Sequence, residues 1–319
     1  MPECGLTVQK RPYIVNEAKH HISRNKTLMQ VILHIGVHCT DEDRLIGSLM
    51  RNEKLLEQNG TAVPNPNSYR NLLRETLFHM AKSAPKPDAR EIFLNDVLGG
   101  IDCERLILSN ENFICQPQRI FENGQFYRLA PRRLSSMQQL MQGDELEVYM
   151  AVRNPATFLS AAFGKVEGRS FHDFIDGMNP LSLRWSDVLW RMRAAVPKMP
   201  ITVWCNEDTP LIWSHLIRDI SGLEHGTKLK GGFAVLREIM SDEGMLRFRD
   251  YLHKNPPQTE VHQRRVIAAF LDKYALEDEI EEELALPGLT EQHYIEMTEA
   301  YEEDLYEIEK IPGVTLITP

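Results

Sequence analysis

The chain has 319 residues, 42% of them hydrophobic and 26% charged, and a formal net charge of -10. That length and balance allow a substantial core and exclude a disordered or collagen-like chain, and no run of about eighteen apolar residues exists to span a membrane. The negative excess opposes nucleic acid and anionic membranes as partners, because the summed field repels polyanions, so a small anionic ligand would need a local basic pocket.

The five cysteines, Cys4, Cys39, Cys103, Cys115 and Cys205, are scattered, odd in number and form no C-x-x-C pair. They read as reduced thiols of a cytoplasmic protein. Residues 1–30 form a polar lead-in without the apolar core of a signal peptide. His20 and His21 within it are adjacent, so their side chains diverge and do not make a metal pair.

Residues 31–36 are a short apolar run of strand character, and Leu45, Leu49 and Leu56 follow at helical spacing. The spacing predicts a strand, a turn at Gly36 and a helix over 41–59 that Gly60 stops. Strand, glycine turn and helix in that order form the geometry in which backbone N–H groups cradle a phosphate. The side chains of this turn contradict that use. Such a cradle normally adds a lysine and a hydroxyl, whereas here stand Cys39 and the acids Asp41, Glu42 and Asp43. Thr40 followed by Asp43 resembles a capping arrangement instead, with acids in the first turn favoured by the helix dipole. Alternation puts His34 and His38 on one side of the segment, where they read as part of the turn rather than as metal ligands.

Residues 61–67, with two prolines, read as a loop. A helix over 69–84 follows, broken by Pro85 and Pro87, and then a short helix or turn over 90–99. A second strand at 106–108 ends in Ser109, Asn110 and Glu111. Ligands of open α/β sheets sit outside the carboxyl ends of strands, so Glu111 is expected to face the opening turn, where it is a candidate general base toward an acceptor hydroxyl. Residues 116–131 look irregular and 135–141 helical, with a basic cluster of Arg128, Arg132 and Arg133 beside them.

A third strand at 146–152 leads into Arg153 and Pro155, and proline suits a first helical position. A fourth at 201–205 precedes a helix through Leu211, Trp213, Leu216 and Ile220. From Gly231 the chain reads as mainly helical, with an acidic run at 277–283. Its last helix, over 290–310, places Tyr294, Met297, Tyr301, Leu305 and Ile308 on one face. Four strands alternating with helices predict an α/β fold, a P-loop-like sheet of mostly parallel strands flanked by helices. One domain over 31–319, with a helical C-terminal part over 231–319, accommodates them.

Taken together, the three strand ends resemble the sulfotransferase superfamily, especially bacterial sulfotransferase-like proteins. The segment from His34 through Gly36, His38 and Thr40 is similar to the family's loop for the 5′-phosphate side of PAPS. Arg153, Asn154 and Pro155, with Ser160 on the following helix, resemble its element for the cofactor's 3′-phosphate. The stretch at 106–111 is similar to the intervening strand, and Pro312, Gly313 and Val314 to the closing segment. The resemblance implies binding of PAPS or adenosine 3′,5′-bisphosphate through Gly36, His38, Thr40, Arg153 and Ser160.

Departures accompany these matches. Cys39 stands where the family has its phosphate-binding, transition-state-stabilising lysine, and 41–43 replace a Gly-Thr-Thr segment by acids. Sulfuryl transfer needs positive charge or N–H donors where negative charge gathers. The sequence therefore leads first to a sulfotransferase-like protein with a diverged cofactor loop, weak or inactive in transfer, that keeps an anion-binding cleft. An active PAPS-dependent sulfotransferase acting on a hydroxyl is the alternative, with Arg128, Arg132 or Arg133 in the lysine's place. A protein-interaction scaffold using the acidic C-terminal helices is the third.

Overall fold

The computed structural model of the chain describes residues 28–319 apart from 81, 84, 281–283 and 285. The lead-in up to residue 27, with Cys4, His20 and His21, lies outside the described residues, as does the end of the acidic run at 281–283.

Among the described residues six strands form one sheet: β1 (Gln30–His34), β2 (Thr61–Ala62), β3 (Arg105–Ser109), β4 (Glu145–Val152), β5 (Ile201–Cys205) and β6 (Val314–Ile317). Their order is β2-β3-β1-β4-β5-β6 and every pairing is parallel. The fold is thus α/β. Because side chains alternate along each strand, Val31, Leu33, Leu106, Leu108, Val148 and Met150 enter one core while Ile32, Ile107, Tyr149 and Trp204 enter another.

The second core is closed by α1 (Arg44–Arg51), α2 (Glu53–Gln58) and, later in the chain, Thr209–Ser221. The first is closed by α3 (Pro66–Met80), α4 (Ala89–Leu98), α5 (Ala130–Leu140), α6 (Pro155–Gly164), α7 (Phe171–Ile175) and α8 (Trp185–Ala195). Helix α9 is the Thr209–Ser221 element. Beyond it α10 (Leu236–Ile239), α11 (Asp242–Lys254) and α12 (Glu260–Tyr274) share a small core of their own around Phe248. A buried pair of Arg218 with Glu260 ties that core to α9. After α13 (Glu277–Ile280), the last helix, α14 (Glu291–Glu309), lays Tyr294, Met297, Tyr301 and Ile308 against the first core, with Leu305 partly buried.

Several elements differ from the sequence expectations. The helix over 41–59 is two helices, because Asn52 spends its side chain on backbone: Nδ2 donates to Ser48 O at 2.8 Å and Lys230 O at 2.9 Å. Such competition with the ladder breaks a helix. The loop at 61–67 begins with β2, whose pairing to Arg105 and Leu106 no local signal marks. Helix α8 and strand β6 were likewise not predicted. Asp304 of α14 reaches into the start of α8, accepting N–H bonds from Trp185 at 2.6 Å and Ser186 at 3.2 Å, and so docks the last helix.

From β1 the chain leaves toward β2 at one edge, and from β4 it leaves toward β5 on the opposite side. Neighbouring strands whose loops depart in opposite directions open a crevice at their carboxyl ends. Here that crevice lies between the turn after His34 and the turn after Val152. Among the described residues no helix is long and apolar enough to cross a membrane.

Candidate functional site

Gly36, just past the end of β1, has φ +93, a region that L side chains rarely adopt. Space is tight there as well, since a β-carbon would stand 3.1 Å from Glu111 Cα. Glu111 therefore lies beside the opening turn, and its Oε2 is buried without a hydrogen-bond partner among the described residues. Further along, Cys39, Glu42 and Asp43 hold φ of 60, 49 and 65. Three left-handed non-glycine residues so close together cost roughly 1–3 kcal/mol each.

The start of α1 is satisfied from within. Asp41 Oδ1 accepts the Leu45 N–H at 2.7 Å and its backbone oxygen accepts the Arg44 N–H at 2.9 Å. This carboxylate is only 8% exposed. Burial lifts its pKa to about 7, with Asp43 and Glu111 adding to the rise and the Leu45 N–H and Arg44 opposing it. The capping pair expected from sequence, Thr40 with Asp43, is therefore not the one used. Thr40 Oγ1 donates to Val37 O at 2.7 Å, and the Asp43 carboxylate is gripped by Arg70 at 2.9 and 2.5 Å. Asp43, at φ 65, is turned out of line for capping its own helix.

Arg70 comes from α3 and has a second role. Strand β2 pairs only with the first residues of β3, so Ser109 at the other end, paired to His34 of β1 on one side, has no strand neighbour on the other. Tyr69 and Arg70 substitute for it: the Ser109 N–H donates to Tyr69 Oη at 2.7 Å, and Ser109 O accepts from Arg70 Nε at 2.9 Å.

Arg153, at the end of β4, is 7% exposed. Its Nη1 donates to Cys39 O and its Nε to Thr157 Oγ1 at 3.1 Å, so the guanidinium stitches the two crevice walls together. Ser160 stands one turn further along α6 than Thr157. Asn154 caps α6, its side chain accepting the Ala156 N–H at 3.0 Å, with Pro155 at the first helical position. Lys165 at the end of α6 reaches Glu42 Oε1 at 3.3 Å. The Cys39 thiol is pushed up to about 11 by burial, against the pull of Lys165 and Arg153, and stays protonated at neutral pH.

The two histidines do not share a side. His34 Nδ1 meets Ser109 Oγ at 2.9 Å and its ring stacks on Trp204, in the second core. His38 Nδ1 meets Tyr127 Oη at 2.7 Å and its Nε2 meets Cys115 O at 3.1 Å, in the first. Alternation fails because the chain bends at Gly36 between them. Burial holds both imidazoles neutral, with pKa values lowered to about 4. Among the described residues no group of three or more His, Cys, Asp or Glu side chains is placed to hold a metal ion.

Sequence reasoning missed Arg70, Thr157, Lys165 and Tyr127. Thr157, four residues after Arg153 at a helix start, carried a usable signal. The others sit in helices or irregular chain whose position at the crevice only the tertiary structure supplies. The Arg128, Arg132 and Arg133 cluster lies elsewhere: Arg128 pairs with Glu122 at 3.2 Å, and Arg132 and Arg133 line a pocket beside α3. Comparison with known proteins finds no family model that matches the chain and no match among curated proteins.

Proposed function

We propose that this chain is a sulfotransferase-like protein that does not transfer sulfuryl groups, its cofactor loop having become a self-closed structural turn. One observation carries the reading: at the start of α1, where a phosphate would sit, the Asp41 carboxylate takes the Leu45 N–H and the Asp41 backbone oxygen takes the Arg44 N–H. Glu111 adds a second carboxylate against Gly36, and Cys39 supplies no positive charge in the lysine's place. A carboxylate about 4 Å from a phosphate is repelled by roughly 4 kcal/mol at an effective dielectric near 20. These residues fit PAPS and adenosine 3′,5′-bisphosphate poorly.

An active PAPS-dependent sulfotransferase acting on a hydroxyl is the second reading, and Lys165 is the observation that favours it. Its ammonium lies close enough to the turn to interact with Cys39 and Glu111. Incubation with PAPS and a panel of hydroxyl acceptors, following release of adenosine 3′,5′-bisphosphate, separates the two. Release no faster than without protein is expected. Release that Glu111→Gln and Lys165→Ala both abolish would overturn the first reading in favour of the second.

A further inference from the structure

Two adjoining cavities, of about 280 and 230 Å³, lie between α3 and the chain from Asn110 into α5. They share Leu77, Phe78, Arg119 and Arg133 and open beyond the carboxyl end of β3, where Asn112 separates them from His38. Pockets of this scale take small organic ligands.

Their lining has two characters. Leu73, Leu77, Phe113 and Cys115 form an apolar wall, and Phe78 stands 51% exposed at its edge. Arg74, Lys82, Arg119, Arg132 and Arg133 bring positive charge from two helices and the turn between. The acids nearby are fewer: Glu75 lines the pocket, and Glu122 holds Arg119 at 2.7 Å while also taking Arg128. On a chain of net charge -10 this is a local reversal of sign.

Arg133 is the focus. It is half-buried, and its guanidinium has no hydrogen bond or ion pair among the described residues, while its backbone N–H donates to Leu129 O at 3.0 Å. Burial, together with the guanidiniums of Arg119 and Arg132, draws its pKa below the ordinary arginine value. A half-buried guanidinium facing like charges gains most from an anion, and the apolar wall selects against inorganic ions, which offer it nothing.

We propose that this pocket binds a small anionic amphiphile, a sulfonate, sulfate or carboxylate on an aromatic or aliphatic body, with Arg133 contacting the anion and Leu77, Phe78 and Phe113 the apolar part. This site is separate from the crevice and does not depend on how the crevice is read.

The test is calorimetric titration of the full chain with 2-naphthalenesulfonate, alongside Arg133→Ala, Phe78→Ser and, as a distant control, Arg237→Ala. Phe78 is exposed, so Phe78→Ser is not expected to disturb folding. Wild type is expected to bind with a micromolar Kd, Arg133→Ala and Phe78→Ser at least tenfold more weakly, and Arg237→Ala unchanged. Uncharged 2-naphthol is expected to bind at least tenfold more weakly than the sulfonate. No binding at millimolar sulfonate would overturn the proposal. So would equal affinity in all four proteins, or sulfate alone competing as well as the aromatic anion.

Discussion

The Asp41 carboxylate accepts the Leu45 amide at 2.7 Å while only 8% of the residue is exposed, so the first helix after the central strand begins on its own side chain. Desolvation makes that arrangement sensitive to pH. Below about pH 4 the carboxyl carries its proton in both folded and unfolded chains. Between there and the folded pKa of about 7 only the folded chain keeps it, so stability falls as pH rises, and the full cost is present above pH 7. Asp41→Asn keeps the acceptor oxygen and removes the titration. Relative to wild type the variant should gain about 2–3 kcal/mol between pH 5 and pH 8 in urea unfolding. A difference that does not change with pH would show that Asp41 is not desolvated.

His38 works in the opposite direction. With its folded pKa near 4 against the ordinary 6.5, protons bind the unfolded chain first as pH falls, and stability is lost from about pH 6.5 down to about pH 4. Replacement by Gln costs hydrogen bonds to Tyr127 and Cys115 O at neutral pH. Between pH 7 and pH 5, however, His38→Gln should lose about 2 kcal/mol less than wild type. Equal losses in the two proteins would contradict a buried neutral imidazole.

Tyr69 completes β3 where the short edge strand stops. Removing its hydroxyl leaves the buried Ser109 N–H without the acceptor at 2.7 Å, while Arg70 still serves the carbonyl. Tyr69→Phe should therefore cost about 1–3 kcal/mol in chemical denaturation. Tyr306→Phe, at a tyrosine 67% exposed, should cost nothing measurable. Similar values for the two would mean that the strand end is not held by Tyr69.

Asp304 joins two elements far apart in sequence, because its carboxylate accepts from Trp185 N, Ser186 N and Ser186 Oγ at the start of α8. Asp304→Ala should lower stability by about 2–3 kcal/mol, through a lost cap and uncovered N–H groups. Asp304→Asn, which keeps an acceptor, should recover part of that loss. An alanine variant as stable as wild type would remove α14 from the set of elements that hold the core.

The strands around 31, 106, 147 and 202 were legible because a parallel sheet buries both faces and its strands read as continuous apolar runs. Pro155 and the periodic face of α14 were legible for equally local reasons. Strand β2 was not, since two residues become a strand only when β3 lies beside them. At the crevice, the acids of the turn could be read but not their division of labour. Thr40, Asp41 and Asp43 are all acceptable caps by residue type, and the left-handed backbone at Asp43 decides among them. The partners Arg70 and Lys165 come from helices whose approach to the turn is a property of the sheet order, which no stretch of sequence encodes.

The self-closed turn is tested most directly by calorimetric titration of the folded chain with adenosine 3′,5′-bisphosphate, with Arg153→Ala beside it. No heat of binding at millimolar ligand is the expected result, since the N–H groups at the start of α1 are already taken by Asp41 and Arg153 is bound to Cys39 O and Thr157. Micromolar binding to wild type that Arg153→Ala abolishes would contradict it and mean that the turn opens to admit the nucleotide.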